Sequence, residues 1–444
     1  MRDLLLSAVL VILIPLSLFR PFIGALGWTW VSYFNPHLLT WGFTRQLPVA
    51  MLIAIPTMVG MLFARNRRLP PFTRETVLLL ALWLWFGVTT VHTYFTPLFS
   101  HHFPETLEQY WYVTKIILMT VVCMMLVTNR QRLRWWYLVT LGSLGYYALK
   151  GTAFGIVTGG QYRVYGPGSS MIADNNELAL ALNICLPMFY FLAQEEQSRI
   201  MSLAFRAGFV CSIVAIVLTY SRGGLLGLAV VLFMLALQSR YKVRAAVAMA
   251  LIGLLILAYA PETWMERMRT ITMAPATDPS ALGRIRAWQL ASDLATDYPL
   301  TGGGFRTFTL QLYERYNLGG KFILGPHSIY FQVLGEHGFV GLLLFLVLCG
   351  CAFLSCGKIV RRYSGKDTPT WPIAYAKALR ASFAAFFISG AFLGRAYFDL
   401  FFQLVATVIL VKALARRELA EAQAEAPAAE LQHAEEAATP LVSR

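Results

Sequence analysis

Apolar runs of roughly 20 residues recur along this chain, joined mostly by short polar loops, and that recurrence restricts the fold more than any other feature. A bilayer's hydrocarbon core is about 30 Å thick, and a helix of roughly 20 apolar residues crosses it with every backbone group satisfied internally. About twelve segments qualify on this measure: 4–24, 47–64, 75–96, 110–128, 135–155, 177–193, 200–220, 223–238, 244–260, 338–356, 376–393 and 396–414. The close pairs 200–220 with 223–238 and 376–393 with 396–414 read as tight helical hairpins. With 57% hydrophobic and only 14% charged residues, the chain lies outside the composition of soluble globular proteins. The first run follows Met1-Arg2-Asp3 without a small-residue cleavage site, so it reads as a retained helix and not a removed signal peptide. The expected fold class is an all-α polytopic membrane protein with about 12 transmembrane helices and a large outward loop between helices 9 and 10.

The formal charge of +14 would suggest nucleic acid in a soluble protein. Here most of the cations fall in short loops, where they set topology, so no nucleic-acid partner is expected. Arg65, Arg67, Arg68 and Arg74, then Arg130, Arg132 and Arg134, Arg199, Arg240, Lys242 and Arg244, Lys358, Arg361, Arg362 and Lys366, and Arg416 with Arg417 form one set, assigned to the cytoplasm. Both termini then fall on the cytoplasmic side and the polar segment 261–326 faces outward. The organisation expected is 1–260 for nine helices, 261–337 for the large loop, 338–414 for three helices and 415–444 for a solvated Ala/Glu-rich tail. The six cysteines lie in or beside apolar runs without a CxxC pair and read as small buried hydrophobes.

The outward face breaks the charge rule, because Arg163, Arg222, Arg284, Arg286, Arg306 and Arg395 all fall there. A surplus of guanidinium groups on that side calls for an anionic partner, and their planar donors suit phosphate oxygens. Arg222 stands out, since Thr219-Tyr220-Ser221-Arg222-Gly223-Gly224 is a tight turn that holds its charge near the headgroup level. Arg284 and Arg286 precede an amphipathic run, 287–294, whose apolar side is expected to rest on the bilayer surface. Gly302-Gly303-Gly304 lacks the Lys-Ser/Thr of a P-loop and reads as a flexible bend after Pro299, with an anion nest as the alternative.

His327 follows Gly325-Pro326 and opens a helical run, near amides that favour an anion; a neutral imidazole accepts a proton from a sugar hydroxyl at physiological pH. His337, ten residues on, would lie roughly 15 Å further along a continuous helix, and Glu336-His337-Gly338 reads as the entry to the next span. Asp174-Asn175-Asn176-Glu177 form part of a second outward loop, where Asn175 and Asn176 either cap a helix or bind sugar or phosphate. His92, His101 and His102 have no carboxylate at metal-ligand spacing beyond Glu105, so no metal site is expected there.

Taken together, these residues resemble the O-antigen ligase family of bacterial inner-membrane glycosyltransferases, a group that includes O-antigen polymerases and protein O-glycosylation ligases. The resemblance rests on about twelve spans, the long loop between the ninth and tenth, the Ser221-Arg222-Gly223 turn, and His327-Ser328 followed, after nine intervening residues, by Gly338-Phe339-Val340-Gly341. Arg20-Pro21-Phe22-Ile23-Gly24 with Asn35-Pro36-His37 resembles the branch of O-glycosylation ligases associated with exopolysaccharide systems. The resemblance implies a GT-C-like, metal-independent and cofactor-free inverting transfer at the periplasmic face, in lipopolysaccharide biosynthesis. The donor implied is an undecaprenyl-diphosphate-linked glycan, the acceptor a lipid A-core sugar, and the remaining partners membrane lipids. Carried over, His327 becomes the general base and Arg222, with Arg284 or Arg286, holds the diphosphate. Arg163 is counted with these arginines, and Asn175 and His337 as further substrate contacts. A polymerase or a protein O-oligosaccharyltransferase would use the same donor chemistry. A secondary transporter would instead place its charges near the midplane of broken helices, whereas these spans are nearly free of acidic residues.

Overall fold

The computed structural model describes residues 1–239, 241–259, 262–269, 279–319, 324–365 and 368–438. Its described residues form α-helices and short 3-10 turns without strands: α1 (Arg2–Phe19), α2 (Pro21–Phe34), α3 (Val49–Phe63), α4 (Arg74–Phe95), α5 (Phe103–Leu126), α6 (Arg130–Val157), α7 (Asn175–Glu195), α8 (Arg199–Leu218), α9 (Arg222–Gln238), α10 (Lys242–Tyr259), α11 (Glu262–Arg269), α12 (Pro279–Asp297), α13 (Leu310–Arg315), α14 (Ile329–Arg362), α15 (Trp371–Gly390) and α16 (Asp399–Ala438). Six of the described helices are long and apolar enough to cross a membrane, namely α1, α4, α5, α7, α8 and α14, while α3 and α9 are shorter apolar helices. All six cysteines are free. The spacing of apolar runs therefore locates most helices within a few residues.

The first expected span is the exception. Pro21 has no amide to donate, and Arg20 before it adopts φ −132°, ψ 72°, so the 4–24 run breaks into two helices. α2 returns antiparallel along α1, with Gly24 against Ser17 and Gly27 against Leu13, where any side chain would collide. Near the start of α1, Arg2 donates to the Leu39 carbonyl at 3.1 Å and Asp3 accepts from the Gly42 and Thr44 amides at 3.2 Å each. Near its end, Leu18 touches Gly60 of α3. The N-terminus thus lies about 22 Å, the length of 15-residue α3, from the end that holds Arg67. Arg417 donates to the Thr128 carbonyl, and the Arg68 amide bonds the Met125 carbonyl, which puts the last crossing's end beside Arg67. Arg2 and Arg417 therefore stand at opposite ends of the bundle, which runs against the expectation that both termini share a side. α2 is the extra traverse that reverses the parity.

α7 and α15 form the centre of the bundle, packed against each other and against α8, α9 and α14. Asn183 of α7 donates to the Gly224 carbonyl at 2.8 Å, Ser382 of α15 donates to the Ile184 carbonyl at 2.6 Å, and Gly227 of α9 lies against Ser389. These contacts fix where the start of α9 can sit.

The described stretch 279–319 of the polar interval is a packed cap over the end opposite Arg67, and the rest of the expected loop lies partly outside the described residues. Ala287, Leu290 and Leu294 of α12 are buried with Phe99, Leu312, Tyr313 and Leu318, so the apolar side of 287–294 faces protein and not a bilayer surface. The glycine turn is equally fixed. Gly302 to Gly304 are buried, the Gly303 and Gly304 amides donate to the Gly335 and Glu336 carbonyls at 2.9 and 2.8 Å, and a Cβ on Gly302 would lie 2.5 Å from the Gly335 oxygen. With those amides engaged it is neither a flexible bend nor an anion nest. α14 starts at Ile329, nine residues before the expected 338, and breaks at Gly338 (φ 66°, ψ −169°), where the glycine turn docks.

Candidate functional site

Arg222 is held by a turn built from both neighbouring helices. Tyr220 adopts φ 59° and donates its hydroxyl to the Gly160 carbonyl at 2.5 Å. Ser221 caps α9 by accepting from the Gly224 amide at 3.0 Å, and its hydroxyl donates to Asn176 Oδ1 at 2.7 Å. Asn175 donates to the Thr219 carbonyl at 2.7 Å and is buried, so it braces the turn and does not face a ligand. The cap of α7 is Asp174, in a reciprocal capping box with Glu177. Arg222 thereby becomes the first residue of α9. A cation there opposes the positive end of the helix dipole, which disfavours it for stability and suits it for an anion.

A cavity of about 320 Å³ opens at this point, lined by Arg222, Asn176, Tyr220, Ser221, Arg284, Ser389, Phe392 and Leu393 among others. Arg284 reaches it from α12, more than sixty positions along the chain from Arg222. Arg286 and Arg163 are exposed and do not line it. Of the two loop arginines that the sequence left open, the fold brings Arg284 to Arg222.

His327 is not part of this lining; it sits one residue behind it, against Gly394, in the left-handed region (φ 42°). The Pro326 carbonyl accepts from Trp288 Nε1 at 2.7 Å, and the Trp288 ring stacks on Phe331 with centroids 5.0 Å apart. Gly394 packs on its backbone at ordinary contact distance, where a Cβ would lie 3.5 Å from the His327 amide nitrogen. Burial holds the imidazole's pKa below the ordinary value of 6.5, reinforced by the charge of Arg284, opposed by Asp174 and reinforced again by Arg395. The ring is thus neutral at physiological pH and able to accept a proton.

A second cavity, of about 290 Å³, lies across the 393–395 turn and is lined by Glu108, Gln109, Tyr112, Met171, Arg306, Gln332, Glu336, Gly394, Arg395 and Tyr397. Arg395 pairs with Glu177. Gln332 accepts from the Ala396 amide at 3.2 Å, and Arg306 donates to Gln109 Oε1 through Nε and Nη2 at 3.1 and 2.9 Å. Glu336 is buried, accepting from the Arg306 amide at 3.0 Å and from the Tyr397 hydroxyl at 2.5 Å. His337, expected as a substrate contact, is instead enclosed between Phe86 and Phe305, with Nδ1 2.7 Å from Thr89 Oγ1, and lines neither cavity. Sequence reasoning passed over Gln332 and Glu336. Their i+4 and i+8 spacing from Ser328 would have placed them on one helix face.

Two known families match separate parts of the chain. Residues 207–346 match the O-antigen ligase family, and residues 1–197 match a family of unknown function (DUF5935). The chain carries an O-antigen ligase domain. No curated protein matches it. The O-antigen ligase segment contains Arg222, Arg284, Arg286, His327 and His337, whereas Asn176 and Glu177 come from the segment matched to the second family and Arg395 from neither. Both cavities are thus composite, and a fragment carrying residues 207–346 alone would lack part of each.

Proposed function

We propose that the protein transfers a glycan from undecaprenyl diphosphate to a sugar hydroxyl of lipid A-core, at the periplasmic face of the bacterial inner membrane. The observation that carries this reading is the convergence of Arg222 and Arg284 on one cavity beside His327. The two guanidinium groups hold the diphosphate through charge-assisted hydrogen bonds. His327 takes the proton of the acceptor hydroxyl as its oxygen attacks the anomeric carbon from the face opposite the diphosphate. The new C–O bond forms while the bond to the phosphate oxygen breaks. The electron pair leaves with undecaprenyl diphosphate, whose growing charge Arg222 and Arg284 stabilise without a metal. The anomeric configuration inverts, and the proton passes from the imidazolium to water.

The test is a reconstituted transfer assay with the purified full chain, an undecaprenyl-diphosphate glycan and lipid A-core, with and without a chelator. Transfer that survives the chelator and vanishes in Arg222→Ala supports the proposal. Glycan added to a second lipid-linked glycan, or to protein, in place of lipid A-core would move the reading to a polymerase or a protein O-oligosaccharyltransferase. Dependence on a divalent cation would sink the arginine mechanism.

A further inference from the structure

We infer that the second cavity is the acceptor's seat and that it is built for an uncharged sugar ring; this rests on the ligase reading and adds the location and chemistry of the acceptor. The two cavities share the 393–395 turn as a wall, Leu393 on one side and Gly394 with Arg395 on the other. His327 lies against that wall at Gly394 and feels the charge of an arginine from each side, Arg284 and Arg395. A base that takes a proton from the acceptor while the diphosphate leaves on the far side of the sugar has to stand between the two substrates. His327 lines neither cavity, but its backbone packs on the wall that the two share, at Gly394.

The second cavity is lined by two carboxylates, Glu108 and Glu336, whereas, among the described residues, no carboxylate lines the first. Arg395 is ion-paired with Glu177, and Arg306 is hydrogen-bonded to the Gln109 carboxamide. A phosphate entering there would meet Glu108 and Glu336 and no surplus cation, so the cavity discriminates against the donor's diphosphate. What it offers are planar polar groups on Glu108, Gln109 and Gln332, which bridge adjacent hydroxyls, and the Tyr112 ring, on which a pyranose C–H face can lie. A volume of about 290 Å³ is at the small end of ligand sites and suits a single sugar residue better than a peptide segment. Arg306 holds φ 60°, a cost that a non-glycine residue carries where its position is constrained, and its amide and guanidinium both face this cavity's groups.

The experiment uses the full chain in nanodiscs, titrated with the delipidated core oligosaccharide in the absence of donor and followed by saturation-transfer NMR. Wild type binds, and Gln109→Ala or Glu108→Gln weakens binding by about tenfold, the equivalent of one hydrogen bond. Arg222→Ala leaves this binding unchanged. In the transfer assay the same two variants raise the KM for acceptor and leave the KM for donor, and the slow hydrolysis of donor by water, as in wild type. Tyr112→Phe, which keeps the ring, retains wild-type affinity, while Tyr112→Ala loses it. Binding insensitive to Gln109 and Glu108, or sensitive to Arg222 instead, overturns the inference. Saccharide binding with this mutational pattern but no transfer would sink the ligase reading and leave the sugar site standing.

Discussion

Arginines are plentiful at both ends of this bundle, yet the two ends use them in opposite ways. At the end shared by Arg67, Arg132 and Arg417, guanidinium groups bond helix-terminal carbonyls. Arg67 reaches Met61 and Leu62 at 2.9 and 2.5 Å, Arg132 reaches Leu126 at 2.7 Å, and Arg417 reaches Thr128 at 3.3 Å. A hollow of about 290 Å³ lies among them, but its cations serve the negative ends of α3 and α5. At the opposite end, Arg222 opens a helix at the wrong pole of its dipole, and Arg284 is carried over a membrane helix bundle by the α12 cap to meet it. The first set of cations stabilises helix ends, while Arg222 sits against the dipole of α9 at the lip of a cavity.

The sharpest way to break this contrast is at His327. His327→Ala should reduce transfer by roughly 10²- to 10⁴-fold, the usual worth of a positioned general base, with undiminished binding of the lipid-linked donor. Loss of donor binding instead would make His327 part of the diphosphate site. The next largest effect separates neighbours on one helix. Arg284→Ala should cost on the order of 10²-fold in kcat/KM, about 2 to 3 kcal/mol for a charge-assisted contact, whereas Arg286→Ala, exposed and outside the cavity, should leave transfer within about twofold. Equal losses in both would undo the assignment of Arg284.

Neighbouring arginines show what the sequence makes legible and what it does not. Arg222 can be read from the chain because a turn between two apolar runs leaves its charge only one depth. His327 can be read because Gly325-Pro326 marks the entry to a helix. The preference for Arg284 over Arg286 cannot be read, since it depends on which side of α12 the cap presses against α14, and that is set by contacts with Phe99 and Leu312 far along the chain. The N-terminal parity failed for a local reason. Residues 4–24 are apolar enough to pass for one span, and of the two prolines within it Pro15 lies inside α1 while only Pro21 marks the break. The glycine turn was misread because its partners, the Gly335 and Glu336 carbonyls, are freed only by the break at Gly338.

At the carbonyl-capping end the expectation is the reverse, a change in stability without a change in chemistry. Arg67→Ala should lower unfolding stability by about 1 kcal/mol, through the loss of its bonds to Met61 and Leu62, and leave kcat and KM as in wild type. Thermal denaturation beside the transfer assay checks both halves. A fall in transfer at unchanged stability would mean that this end, too, handles substrate.

The smallest effect tests the electrostatics around His327 itself. Its pKa lies below 6.5 because of burial and the charge of Arg284, with Asp174 opposing and Arg395 reinforcing. The proton-accepting form is the neutral one, so transfer should hold through pH 7 and fall only as pH drops below that depressed value. Asp174→Asn removes the charge that favours the imidazolium, so the acid limb should move a few tenths of a pH unit lower. Asparagine still caps a helix, and the α7 N-terminus should survive the change. An acid limb that moves upward, or stays fixed while His327→Ala abolishes transfer, would mean that a group other than His327 titrates in the rate.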